Sequence, residues 1–157
     1  MADKNLKVEI RKPTQADVDN LIKNMRQADR NELMALHNEI GRIVQYSFER
    51  SEHKWSVYAN GEFVCMFGVG YAALVSDTGI IWMLGTDLIE QYKGAFIRHS
   101  KRYIEAMLTI YPVLSNYCDV RNKRTIRWLK FMGFTFSEPT PRGVHNLPFV
   151  KFELKRD

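Results

Sequence analysis

The chain has 157 residues, 45% hydrophobic and 26% charged, which excludes a disordered or fibrous protein and suits one globular domain over residues 1–157. Lys and Arg outnumber Asp and Glu by 23 to 18, a net charge of +5. That excess favours an anionic partner such as a phosphorylated ligand, nucleic acid or an acidic protein face.

Residues 6–11 alternate apolar and polar, the period of a half-buried strand,. Thr14 and Asp17 form a variant capping box, after which Val18, Leu21, Ile22 and Met25 stripe one face of a first helix,. Asp29 or Asn31 caps a second helix carrying Leu33, Leu36, Ile40 and Val44, with a kink or split expected at Gly41,. Residues 54–59 and 62–69 read as strands joined by Asn60-Gly61, a pair suited to a two-residue turn,. Gly79 to Gly85 is the next strand. Ile97, Ile104, Met107, Leu108 and Tyr111 mark a long helix that stops before Pro112,. Val113 to Val120 is a strand, and Asn122 opens a helix that Gly133 closes,. Phe134 to Ser137 and Pro148 to Leu154 form a closing strand pair, separated by a loop holding Pro139, Pro141 and Gly143. The order β-α-α-β-β-β-α-β-α-β-β predicts an α/β fold, a mixed sheet with helices on both faces.

Cys65 and Cys118 each fall within a strand; a bridge between them is geometrically possible, but they read rather as buried free thiols, which fits a reducing compartment,. The start Met1–Asn5 is polar with no apolar signal core, and no apolar run approaches the ~20 residues that span a bilayer,. The expected location is therefore cytoplasmic, with no membrane partner. His37, His53, His99 and His145 are scattered and no metal-ligand spacing occurs, so no metal site is expected,. No serine-nucleophile elbow or phosphate-binding Walker loop is present.

Two segments carry candidate chemistry. Gln91-Tyr92-Lys93-Gly94-Ala95-Phe96 leads from a strand into a helix, whose first backbone N–H groups and positive dipole end attract an anion, with Lys93 and Arg98 adding charge,. Asn122 begins a second such helix beside Lys123, Arg124 and Arg127. Two helix starts converging where parallel strands part would hold a long phosphorylated ligand. The alternatives are an ordinary strand-to-helix connection and a solvated basic face. Arg98, Lys101 and Arg102, with Lys123, Arg124 and Arg127, also raise a nucleic-acid reading, but no nucleic-acid motif accompanies them, so that partner is not expected.

The element order and these segments resemble the GCN5-related N-acetyltransferase (GNAT) superfamily over nearly the whole chain. Residues 8–17, Val-Glu-Ile-Arg-Lys-Pro-Thr-Gln-Ala-Asp, are similar to its opening strand and capped helix, and Asn122 to Gly133-Phe134 to its late helix. The resemblance implies a six- to seven-stranded mixed sheet flanked by four helices, with acetyl-CoA between the fourth and fifth strands. Its pantetheine would pair with the strand backbone at Met83, Leu84 and Thr86, an amide near Leu84 polarising the thioester carbonyl. Its pyrophosphate would meet the loop Gln91-x-x-Gly94-x-Phe96, with Lys93, Arg98, Asn122 and Arg124 nearby. An amine, on a small molecule or on a protein lysine or N-terminus, would attack directly. Glu49, Glu52 and Asp87 are the candidate bases by chain position. Two positions depart from the family pattern: Phe96 replaces a small residue of the loop, and Leu129 falls where a tyrosine commonly protonates the leaving thiolate.

Phe96-x-Arg98, Tyr111-Pro-x-Leu-x-Asn-Tyr and Thr125-Ile-Arg-Trp-Leu-Lys-x-x-Gly-Phe resemble, more narrowly, small acetyltransferase-like proteins of short-tailed bacteriophages. That likeness implies a role in virion assembly or the internal virion, with phage or host proteins as partners and a place in the host cytoplasm or the virion. The expectation is thus a phage acetyl-CoA-dependent N-acyltransferase. The alternative is a catalytically degenerate assembly or binding protein on the same scaffold. The sequence fixes no oligomeric state.

Overall fold

The computed structural model describes residues 6–73 and 75–157; the polar start at 1–5 lies outside them. The elements run β1 (Val8–Arg11), α1 (Gln15–Asn24), α2 (Gln27–Leu36), α3 (Ile40–Arg50), β2 (His53–Ala59), β3 (Glu62–Tyr71) and β4 (Thr78–Gly85). They continue with α4 (Leu88–Gln91), α5 (Lys93–Ile110), β5 (Val113–Asp119), α6 (Lys123–Phe131), β6 (Thr135–Phe136), β7 (Thr140–Arg142) and β8 (Leu147–Lys155). One mixed sheet joins the strands in the order β1-β2-β3-β4-β5-β8-β6, with β7 also on β8. Among the described residues no helix is long and apolar enough to cross a membrane.

Local chemistry explains most boundaries. The Thr14 side chain accepts from the Asp17 amide while Asp17 accepts from the Thr14 amide at 3.0 Å, the reciprocal cap expected for α1,. Asp17 also accepts from Ser56 Oγ at 2.8 Å and from the Tyr58 hydroxyl, tying α1 to β2. Burial and that bond push the Tyr58 phenol up to about 12,. At the end of α6, Gly133 takes a left-handed φ of +99°, while the Phe134 amide bonds Leu129 O and the Gly133 amide bonds Lys130 O. These two bonds satisfy carbonyls that a helix end would otherwise orphan, and only glycine enters that conformation without a Cβ penalty.

Four expectations are corrected. Asp29 and Asn31 do not cap the second helix: α2 starts after Arg26, and Asp29 bonds elsewhere. The split falls at residues 37–39 rather than at Gly41, which sits inside α3 where a Cβ would meet only Ile22 at 3.9 Å. The connection after β4 holds the extra turn α4, and the 139–143 loop holds β7, which pairs with β8 through Thr140↔Phe149. Among the described residues six helices and eight strands therefore stand where four and six to seven were expected.

Alternating strand residues feed two faces. Met66, Trp82 and Leu84 pack with Val18, Leu21 and Val44 of α1 and α3, while Val69 and Ile81 pack with Ile104 and Met107 of α5 and Leu129 of α6,. Cys65 and Cys118 are buried free thiols in these layers. Their burial raises both thiols above the ordinary range, so neither is poised as a nucleophile,.

Candidate active site

β4 and β5 run parallel, yet they pair only over Thr78↔Val113, Gly79↔Leu114 and Ile80↔Ser115. The next residue, Asn116, turns its side chain across the widening gap, and its Nδ2 donates to Ile81 O at 2.7 Å. Beyond that bridge the strands part. The hydrogen bonds of β4 then decide which backbone groups face the opening. The Thr86 amide bonds Val64 O of β3 at 2.9 Å, whereas Gly85 and Ile81 use their backbone on the opposite edge. By strand alternation the amide of Met83 faces the gap and that of Leu84 faces β3, opposite Met66,. The gap-facing amide beside Leu84 is therefore that of Met83,.

α2 bridges the wide end of the gap. Asp29 Oδ2 accepts the Gly85 amide at 2.8 Å on the β4 side, while Glu32 Oε1 accepts the Asp119 amide at 2.7 Å on the β5 side. Glu32 Oε2 also accepts from Asn122 Nδ2 at 3.3 Å. Arg26, only 8% exposed, donates from Nε to Asp29 at 2.8 Å and from Nη2 to Thr125 at 3.2 Å, with Glu90 3.6 Å from Nη1. Burial pushes the Glu32 carboxyl above its usual range, outweighing the two bonds it accepts,. Across the mouth Arg124 pairs with Glu90 and holds that carboxyl below its usual range.

Two cavities meet at this opening. One, of about 330 Å³, runs through the gap from α2 to the underside of α5 and is lined by Glu32, Met83, Leu84, Asn116, Cys118 and Leu129, among others. The other, of about 430 Å³, lies at the mouth and is lined by Arg26, Glu90, Lys93, Arg124, Arg127 and Trp128, among others. Phe96 borders both and leans on Trp128, with ring centroids 5.3 Å apart. On the far side the β7–β8 turn closes on α2. Gly143 has φ +76° there, and a Cβ would lie 2.0 Å from Ala35 O, so only glycine allows that approach,.

The gap gathers Met83, Leu84, Lys93 and Arg124 from the sequence-derived set. Asn122 is buried and lines neither cavity; its Nδ2 donates to Glu32, which does. Thr86 is buried, with its amide and hydroxyl both on Val64 O. Gln91, Gly94 and Arg98 are exposed and line neither cavity, and the guanidinium of Arg98 is 3.9 Å from where a Gly94 Cβ would stand. Glu49 is exposed near the end of α3, where it accepts from Gln45, and Asp87 is exposed at the start of α4; neither borders the gap, and nor does Glu52. Sequence reading missed Arg26, Asp29 and Glu32. Their spacing of three puts all of them on one side of a helix, next to Leu33 and Leu36, a charged stripe against an apolar face,.

A mixed sheet with a parted pair of parallel strands and helices on both faces is the GCN5-related N-acetyltransferase fold. Solved structures agree. The ribosomal-protein-alanine N-acetyltransferase of Brucella melitensis matches with a TM-score of 0.71 at 15% identity, over 94% of this chain and 99% of its own. The spermidine N-acetyltransferase of Vibrio cholerae, in complex with CoA and spermine, matches with a TM-score of 0.70 at 10% identity, over 94% and 95%. A Bacillus subtilis acetyltransferase in complex with CoA matches with a TM-score of 0.66 at 14% identity, over 98% and 100%. The family model described as "Bacteriophage T7, probable scaffold protein Gp13" matches residues 65–140. No curated protein matches the chain.

Proposed function

We propose that this chain is a phage-encoded acyl-CoA-dependent N-acyltransferase. The observation that carries the reading is the gap itself: two parted strands, with the Met83 amide left to face the opening. The residues present fit acetyl-CoA at two points, the open strand edge and the mouth, where Arg26, Lys93, Arg124 and Arg127 border one cavity. Bound there, acetyl-CoA supplies an activated thioester carbonyl to an amine. Lys93 and Arg124 would hold phosphates, the Met83 amide would donate to the oxygen that gains charge, and Glu32 would take the proton of the attacking amine. Leu129 has no proton to give the departing thiolate, which leaves water to supply one.

The test is calorimetry with acetyl-CoA followed by mass spectrometry of a panel of polyamines and peptides. Binding between ~1 μM and ~1 mM, with acetylation of at least one amine, is expected. No heat at millimolar acetyl-CoA would remove the reading.

One observation favours a second reading, a binding or assembly protein that keeps the scaffold without the chemistry. The 65–140 match to a scaffold-protein family covers β4, β5 and α6, the segment in which Leu129 replaces a proton donor. Acetyl-CoA binding with no transfer to any amine would support it.

The mouth makes a separate prediction. Glu90 occupies Arg124 and lies close to Arg26, so it competes with any incoming pyrophosphate. Glu90→Gln removes that competitor, and the dissociation constant of CoA is expected to fall roughly tenfold, a gain that shrinks as salt is raised. Weaker binding in the variant would show that Glu90 organises the cations rather than blocking them.

A further inference from the structure

We infer that the amine acceptor also carries a carboxylate, which Arg142 anchors where β7 and β8 meet the gap; this rests on the acyl-transfer reading above. Arg142 stands out because nothing in the fold balances its charge. The guanidinium carbon lies 3.5 Å from the centroid of the Tyr117 ring, in face contact with it,. Its Nε is buried with no hydrogen-bond partner, and among the described residues no carboxylate pairs with it. A half-buried cation is normally paired, because desolvating a charge without a counter-ion is costly,. The carboxylates at this end of the sheet are already committed. Arg121 holds Asp119 at 2.6 Å, Lys155 lies 3.6 Å from Glu153, and Glu32 accepts from the Asp119 amide and Asn122. An anion from outside the chain would complete the site.

Strand register places that cation beside the proposed chemistry. Val150 and Phe152 of β8 join the α5–α6 core, so Leu147, Phe149 and Lys151 take the opposite face,. Arg142 pairs with Leu147 and Tyr117 with Lys151, which puts all four on the face that α2 covers,. Tyr117 also lines the gap, as Glu32 does from α2. The backbone beneath Arg142 is fixed. The Asn146 amide donates to Gly143 O at 3.3 Å, and Gly143 seats against Ala35, three residues beyond Glu32. That spacing is about 4.5 Å along the helix, short enough for one small acceptor to meet Glu32 with its amine and Arg142 with its carboxylate. A guanidinium fork matches a carboxylate through two parallel N–H donors, and a fork already held on a ring loses little freedom on binding. The same chemistry comes from a free amino acid or from an acidic residue beside a polypeptide N-terminus.

The experiment is an NMR titration of the intact protein, first with CoA and then with amines matched except for the carboxylate. One pair is leucine and isopentylamine; the other is a hexapeptide with aspartate at its second position and its asparagine counterpart. Charge-assisted hydrogen bonds should make the acid bind about tenfold to a hundredfold more tightly in at least one pair, a preference that shrinks as salt is raised. Preference within the leucine pair names a free amino acid, and within the peptide pair a polypeptide N-terminus. Arg142→Gln should bring the two members level, and Arg142→Lys should restore part of the difference by keeping the charge without the fork. The wild-type pairs decide the matter even if a variant fails to fold. Equal affinity in both pairs, or a preference that persists undiminished in Arg142→Gln, overturns the assignment and leaves the acyl-CoA reading standing. Failure of CoA itself to bind, seen before any amine is added, overturns both.

Discussion

Glu32→Gln is expected to lower the turnover number of acyl transfer about a hundredfold or more, with acetyl-CoA affinity little changed. The magnitude is that of a lost general base, and the residue is chosen because its carboxylate lines the gap from the α2 side,. Glutamine suits the test. Its oxygen can still accept the Asp119 amide, and Asn122 can turn its own oxygen toward the new amide nitrogen, so α2 keeps its hold on β5. The pH profile separates chemistry from architecture. Burial raises the Glu32 carboxyl, so in the wild type the acid limb of kcat/KM falls above the ordinary carboxylate range of ~4.3,. Activity is lost as pH drops through that limb, and the Gln variant should lack it. Stability carries the same sign information. A carboxyl that binds its proton more tightly folded than unfolded adds stability below the unfolded value, and loses it as pH rises through the folded one. The variant should lose that falling slope in urea melts across the same interval. An unchanged acid limb with undiminished turnover would place the base elsewhere.

The route from sequence to this site was uneven, for physical reasons. Elements whose signals are local were legible: the Thr14–Asp17 box, the Asn60-Gly61 turn, the alternating strands and the Gly133 helix end all depend on residues within a few positions of one another. The parted strands could be expected from element order and from the family likeness. Their depth could not, because it depends on Asn116 reaching Ile81. The acidic groups that border the gap were not legible for a related reason. Glu49 and Asp87 stood near the right strand ends in the chain, but their helices turn them to solvent. Asp29 and Glu32 look like surface charges of an amphipathic helix until α2 is laid across the sheet, because their partners Gly85 and Asp119 are 56 and 87 residues away. Glu90 shows the same limit from the other direction. In sequence it is one acid beside a basic loop; in the fold it pairs with Arg124 of α6 and lies near Arg26.

Asp29→Ala is expected to cost about 3–5 kcal/mol in urea unfolding, the range for removing one partner of a buried ion pair. Asp29 is 2% exposed, and a single oxygen serves both Arg26 and the Gly85 amide. Deleting it leaves a guanidinium that is 8% exposed without its nearest carboxylate, and an amide at the end of β4 without an acceptor. The partner variant apportions the loss. If the uncompensated charge dominates, Arg26→Met in the Asp29→Ala background should recover much of the stability, since methionine fills the space with no charge to solvate. If the Gly85 bond dominates, the double variant should remain as unstable as the single one. The geometry favours the first outcome, because the Arg26 amide still holds Gly85 O at 2.8 Å and keeps α2 joined to β4. A cost below about 1 kcal/mol would mean that water replaces the carboxylate at little expense, and that the gap end of α2 is far better hydrated than its burial implies.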